Sequence, residues 1–199
     1  MYVVCSDLEG VYVPEVWVNV AKKTGIDILK RTTRDEPDYD KLMQWRIGIL
    51  KEHGLTLKDI QDVITQIKPL EGAYEFIEWI KLRSQLIVVS DTFIQFADPL
   101  MAQLNRPTLF CHQLVMDDRN MIVDYKLRQK DPKRKVVEAL QGLTYKVIAF
   151  GDSYNDTSML LKADVGILFC PPDNVVKDFP QLPVAYNYVE LKEMLEKYI

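Results

Sequence analysis

The sequence predicts an α/β fold, a mainly parallel sheet with helices on its faces, and three observations predict it. Five apolar runs have strand length, helix-period segments separate most of them, and three runs end on polar residues. The length of 199 residues and 48% hydrophobic composition suffice for one full core, with or without an insertion, and exclude a large multidomain scheme.

The strands are expected at Tyr2 to Cys5, Leu86 to Val89, Thr108 to Cys111, Lys146 to Phe150 and Val165 to Phe169. Helical periodicity places helices at Glu75 to Arg83, Gln95 to Leu104, Pro132 to Leu140 and Thr157 to Ala163. The alternation breaks between Val11 and Gly72. Three helical stretches fall there, Pro14 to Thr24, Tyr39 to His53 and Leu57 to Ile67, which reads as a helical insertion after the first strand. A β-hairpin is expected within Gln113 to Gln129, turning at Met116 to Asn120.

Composition excludes several functions. A net charge of −4 lacks the basic surplus of a nucleic-acid binder. No run is long enough to span a membrane, and the first ten residues do not resemble a signal peptide, so no membrane partner is expected. Cys5, Cys111 and Cys170 cannot all pair and lack metal-ligand spacing, which suits a reducing, cytoplasmic setting. With only His53 and His112 present, carboxylates must carry most of the chemistry.

The polar strand ends supply those carboxylates. YVVCSD closes on Asp7, LIVVSD on Ser90 and Asp91, and KVIAFGDS on Asp152. In open parallel sheets ligands bind beyond the carboxyl ends of the strands, so these ends converge on one site. Each could alternatively start a turn or cap a helix.

Four motifs in order then become specific. Asp7-Leu8-Glu9-Gly10-Val11 resembles the D-x-D-x-T/V signature of the haloacid dehalogenase superfamily, and Gly151 to Asp156 resembles its G-D-x-x-x-D, with Ser90 and Lys133 where the second and third motifs belong. The resemblance spans nearly the whole chain and implies a three-layer, Rossmann-like core of residues 1–11 and 73–199. The helical insertion, residues 12–72, resembles the cap of the phosphoserine phosphatase branch. Glu9 stands where an aspartate is usual. Ser90-Asp91-Thr92-Phe93 departs from the usual Ser-Gly-Gly and resembles the bifunctional phosphoserine phosphatase/homoserine phosphotransferase family.

By this resemblance Asp7 is the nucleophile that becomes an aspartyl-phosphate, and Glu9 is the acid and then the base. Mg²⁺ sits on Asp7, the Glu9 carbonyl and Asp152. Phosphoserine is the expected substrate and homoserine a second acceptor. The physical need for cations is independent of family: a carboxylate approaching a dianionic phosphate meets roughly 4 kcal/mol of repulsion per charge pair at 4 Å and effective dielectric 20. Lys133 supplies further positive charge, and because it opens a helix a compensating anion is expected beside it. Asp131 and Pro132 read as N-cap and first helical residue.

Other positions carry two readings at this stage. Asp156 supports the metal or Lys133, or is a first-turn helix acid. Arg46 lies in an apolar stripe and either snorkels to the edge or, as the resemblance implies, holds the substrate carboxylate. Glu15 favours a helix start or pairs with the substrate ammonium, and Asn155 is a further substrate contact. The region around Trp17 and Trp79 reads as core in preference to a dimer contact; oligomeric state is left open. The rival functions are a phosphatase for another small phosphomonoester and a receiver-like phospho-accepting domain, against which Glu9 speaks.

Overall fold

The structure is a computed structural model that describes residues 1–32, 35–36 and 38–199. Among these residues seven strands form one sheet in the order β4-β3-β2-β1-β5-β6-β7. The strands are β1 (Tyr2–Ser6), β2 (Gln85–Phe93), β3 (Thr108–Met116), β4 (Ile122–Lys126), β5 (Lys146–Gly151), β6 (Val165–Phe169) and β7 (Val184–Ala185). All neighbouring pairs are parallel except β3 with β4.

Side chains alternate across the sheet with period two, so each strand feeds both faces. Val4, Ile148, Phe150, Ile167 and Phe169 face one apolar layer, and Cys5, Val147, Ala149 and Leu168 face the other. Helices α4 (Ala73–Lys81), α5 (Ile94–Gln103) and α9 (Tyr188–Leu195) pack on the first layer. Helices α6 (Pro132–Gly142), α7 (Thr157–Lys162) and α8 (Asp173–Asp178) pack on the second. Cys5 is wholly buried, and burial pushes its thiol up to about 12.

Between β1 and α4 run α1 (Val16–Thr24), a 3-10 turn at Asp27–Lys30, α2 (Tyr39–Glu52) and α3 (Leu57–Ile64). Their ends are locally specified. Asp38 caps α2 by accepting from the Asp40 and Lys41 amides, and Thr56 with Asp59 forms a reciprocal capping box on α3. Pro99 lies inside α5, where a proline ring cannot donate to the carbonyl four residues back. That carbonyl, on Gln95, accepts instead from the Gln61 side chain at 2.8 Å, which ties α3 to α5.

Three local expectations are corrected. The third strand and the hairpin are continuous, because β3 pairs parallel with β2 over its first half and antiparallel with β4 over its second. The short β7 and helices α8 and α9 went unforeseen; at two to eight residues each they are short, and β7 is defined by its pairing with β6. Asp131 occupies the N-cap position of α6 with φ 49° but makes no cap bond, because its carboxylate accepts from the Ser158 hydroxyl at 2.8 Å. No helix is long and apolar enough to cross a membrane among the described residues.

Candidate active site

The strand order reverses direction between β1 and β5, and a crevice opens at such a switch point beyond the strand ends. Asp7 follows β1 there and Asp152 follows β5, while Ser90 and Asp91 lie in β2 on the opposite side of β1. Side-chain oxygens of Asp7, Asp152 and Asp156 lie within 4.8 Å of one another. Two glycines permit this crowding: a Cβ on Gly10 would sit 2.5 Å from Asp152 Cγ, and one on Gly151 would sit 2.3 Å from Asp156 Cγ.

Lys133 answers these acids from beneath. It is 2% exposed on α6, beside the buried Val136 and Val137, with Nζ 2.6 Å from Asp156 Oδ1 and 3.0 Å from Asp7 Oδ1. Asp91 Oδ2 lies farther off, at 3.7 Å. The compensating anion expected beside Lys133 is thus a set of three. Against burial, which lowers it, Asp156, Asp7 and Asp91 hold the ammonium above its ordinary range. Asp156 does more than favour a helix start: its second oxygen accepts the Asp152 and Ser153 amides at 3.0 and 3.1 Å, fixing the turn that presents Asp152.

One ammonium does not neutralise the cluster. Burial and Asp156 push Asp152 up to about 7, and the same two causes raise Asp7 against the pull of Lys133. Oxygen-only donors, crowded and short of positive charge, suit a hard divalent cation.

A second group of charges lines the same cavity, of about 1230 Å³. Glu9 Oε2 accepts the Val16 amide at 2.8 Å, so Glu9 and not Glu15 satisfies the first turn of α1. Burial and the adjacent Glu15 push the Glu9 carboxyl up to about 8. Arg46 is 6% exposed and does not snorkel. Its guanidinium lies 4.5 Å from the centre of the Trp17 ring, donates to the Arg31 carbonyl at 2.8 Å, and leaves a buried Nε without a partner among the described residues. Trp17 is therefore a wall of the site as well as core.

Eight of the ten sequence-predicted residues, Asp7, Glu9, Glu15, Arg46, Ser90, Asp91, Asp152 and Asn155, line this cavity. Lys133 and Asp156 lie buried in its floor. Ser90 Oγ accepts the Thr92 amide at 3.2 Å, and Asn155 donates to Asp91 Oδ2 at 2.9 Å. Sequence reading missed Tyr39, whose hydroxyl donates to the Asp91 carbonyl at 3.0 Å, and His112, which lies 3.5 Å from Asp91. Neither stands in a motif; both are recognisable only by what they touch.

The model of haloacid dehalogenase-like hydrolases matches residues 9–164. The chain belongs to this family. Among its haloacid dehalogenase-like relatives, "Phosphoserine phosphatase ThrH" of Pseudomonas aeruginosa is 58% identical over 96% of this chain and 94% of its own. A phosphoserine phosphatase of Pseudomonas syringae pv. tomato is 57% identical over 96% of this chain and 81% of its own. The fold agrees with a solved structure titled "Phospho-Aspartyl Intermediate Analogue of Phosphoserine phosphatase", at TM-score 0.79 and 23% identity, covering 99% of this chain and 98% of that one. As the sequence led one to expect, the haloacid dehalogenase-like fold has an α/β core with a mostly parallel sheet.

Proposed function

We propose that the chain is a Mg²⁺-dependent phosphoserine phosphatase that works through an aspartyl-phosphate on Asp7. The observation that carries this reading is one cavity with two opposed charge patterns. Asp7 with the buried Lys133 forms one charged group, and Glu15 with Arg46 forms another on the same cavity, with an arginine donor unused among the described residues. A phosphate at the first group and a zwitterionic amino acid at the second complement both. The relatives named phosphoserine phosphatase, covering nearly the whole chain, support the same substrate.

In the proposed reaction the Asp7 carboxylate attacks phosphorus, and the bond from phosphorus to the serine oxygen breaks. Glu9, pushed up to about 8, still carries a proton at neutral pH and delivers it to that oxygen. The ionised Glu9 then takes a proton from water, whose oxygen attacks phosphorus and frees Asp7. Ser90 and Lys133 hold phosphate oxygens, Arg46 holds the substrate carboxylate, Glu15 its ammonium, and Asn155 and Asp91 border the phosphate. Asp7, Asp152 and the Glu9 main-chain carbonyl would hold Mg²⁺, with Asp156 in support. When bound, the ion supplies charge that offsets repulsion between carboxylate and phosphate.

In this reading residues 12–72 are the cap that recognises the amino acid, and residues 1–11 with 73–199 are the catalytic core. A cytoplasmic setting belongs to the same proposal, supported by three unpaired cysteines. Homoserine is proposed as a second acceptor, supported by the resemblance of the Ser90-Asp91-Thr92-Phe93 stretch to the bifunctional family. The haloacid dehalogenase family match lends the receiver-like alternative no support.

The test is phosphate release from phosphoserine with and without Mg²⁺, in wild type and Asp7→Asn. Metal-dependent turnover abolished in Asp7→Asn is expected. If phosphoserine is inert while an aryl phosphate turns over through Asp7, the chemistry stands and the substrate is wrong. Incubation with homoserine is expected to yield phosphohomoserine, and its absence removes the second activity.

A further inference from the structure

The ladder between β2 and β3 pairs Val89 with Phe110, then shifts register and resumes at Phe93 and His112. Ser90, Asp91 and Thr92 lie in the interval, displaced from regular pairing, and His112 stands where the strands rejoin. Its ring is 2% exposed, so both nitrogens need partners. Nδ1 lies 3.0 Å from the Arg128 amide and accepts from it, which assigns the proton of a neutral ring to Nε2. Nε2 faces Asp91 Oδ1 across 3.5 Å, a separation that ligand binding can tighten.

Every other polar atom of Asp91 with a partner points into the site or its wall. Oδ2 accepts from Asn155 at 2.9 Å and lies 3.7 Å from Lys133 Nζ, while the main-chain carbonyl accepts from Tyr39 on α2. With its main chain tied to Tyr39, Asn155 on Oδ2 and His112 Nε2 facing Oδ1, the Asp91 carboxylate has a polar neighbour at each oxygen. Oδ2 is thereby aimed.

We propose that His112 is a positioning residue for the phosphate end of the site: its Nε2–H orients Asp91, which in turn orients Asn155 and Lys133. The proposal rests on the phosphatase reading but concerns the phosphate end alone, so any phosphomonoester reports on it. His112 touches no reacting atom and acts only through Asp91.

Two amides separate this role from simple anchoring of the strand. Asparagine can reproduce the Nδ1 acceptor toward Arg128, and glutamine can reproduce the Nε2 donor toward Asp91. The experiment measures turnover of phosphoserine and of p-nitrophenyl phosphate with Mg²⁺, the inhibition constant of inorganic phosphate, and the thermal midpoint, in wild type, His112→Asn, His112→Gln, Asp91→Asn and the double variant with His112→Asn.

The expected result is an approximately tenfold fall in kcat with weaker phosphate inhibition in His112→Asn, at an unchanged thermal midpoint, of the order found for lost hydrogen bonds to charged groups. His112→Gln is expected to recover most of the loss. Adding His112→Asn to Asp91→Asn should cost nothing further, since the two residues act as one unit. Wild-type kinetics in His112→Asn overturn the proposal, as do equal impairment of both amides or multiplicative losses in the double variant. Loss of phosphoserine turnover alone in wild type would fail the substrate reading and leave the aryl phosphate to decide His112. If wild type turns over neither ester, calorimetric binding of inorganic phosphate decides: weaker binding in His112→Asn recovered in His112→Gln supports the proposal, and equal binding overturns it.

Discussion

At the sheet end of the cavity one ammonium contacts Asp7, Asp91 and Asp156, whereas at the helical end one guanidinium lies near Glu9 and Glu15 without an ion pair among the described residues. The first arrangement is closed. Lys133 bonds Asp156 at 2.6 Å and pairs with Asp7 Oδ1 at 3.0 Å, and its removal would strand carboxylates already short of positive charge. The second is open, because Arg46 stacks on Trp17, donates to the Arg31 carbonyl and to the Met43 sulfur, and keeps Nε unpaired among the described residues. Lys133 thus holds buried acids in place and, in the proposed reading, also meets phosphate, whereas Arg46 keeps a buried charge with no carboxylate paired to it among the described residues.

Lys133→Met should break this contrast most severely. Leaving buried acids without their cation is expected to cost about 3 kcal/mol of folding stability, read by chemical denaturation. Loss below about 1 kcal/mol would mean that protonation of the acids compensates. Arg46→Ala should act on function more than on folding: kcat/KM for phosphoserine falls on the order of 10–100-fold, while an aryl phosphate changes little. An equal loss on both substrates would place Arg46 in the scaffold.

The acids themselves give a pH test in chelator. The folded pKa of Glu9, about 8, lies above its ordinary 4.5, so the folded chain holds the extra proton. The stability this contributes is complete below about pH 4.5 and lost as pH rises through about 8. Thermal midpoints should therefore fall over this window, and Glu9→Gln should flatten the fall; an unchanged slope would show that Glu9 titrates normally. Tyr39→Phe gives the smallest effect, about 1 kcal/mol for the hydroxyl bond between α2 and Asp91, with a modest rise in KM.

Much of the closed end was legible in sequence, because Asp7, Asp152, Asp156 and Lys133 fall at the ends or starts of regular elements with fixed spacing. The open end was half legible. Arg46 stood out as a charge in an apolar stripe, but nothing in its neighbourhood named Trp17, twenty-nine residues earlier, as the ring it stacks on. Asp131 misled for the opposite reason: its local pattern is that of a cap, and a hydroxyl on another helix outcompeted the local amide.

The sequence by itself determined the strands and helices up to β6, though not β7, α8 or α9, since hydrophobic period acts over a few positions. It also determined which carboxylates end the strands. Only the tertiary structure decided that β3 runs unbroken from parallel into antiparallel pairing, that Glu9 caps α1 in place of Glu15, and that His112 meets Asp91. Those outcomes depend on register and on competition between partners distant in the chain, and a local pattern carries no record of which distant partner wins.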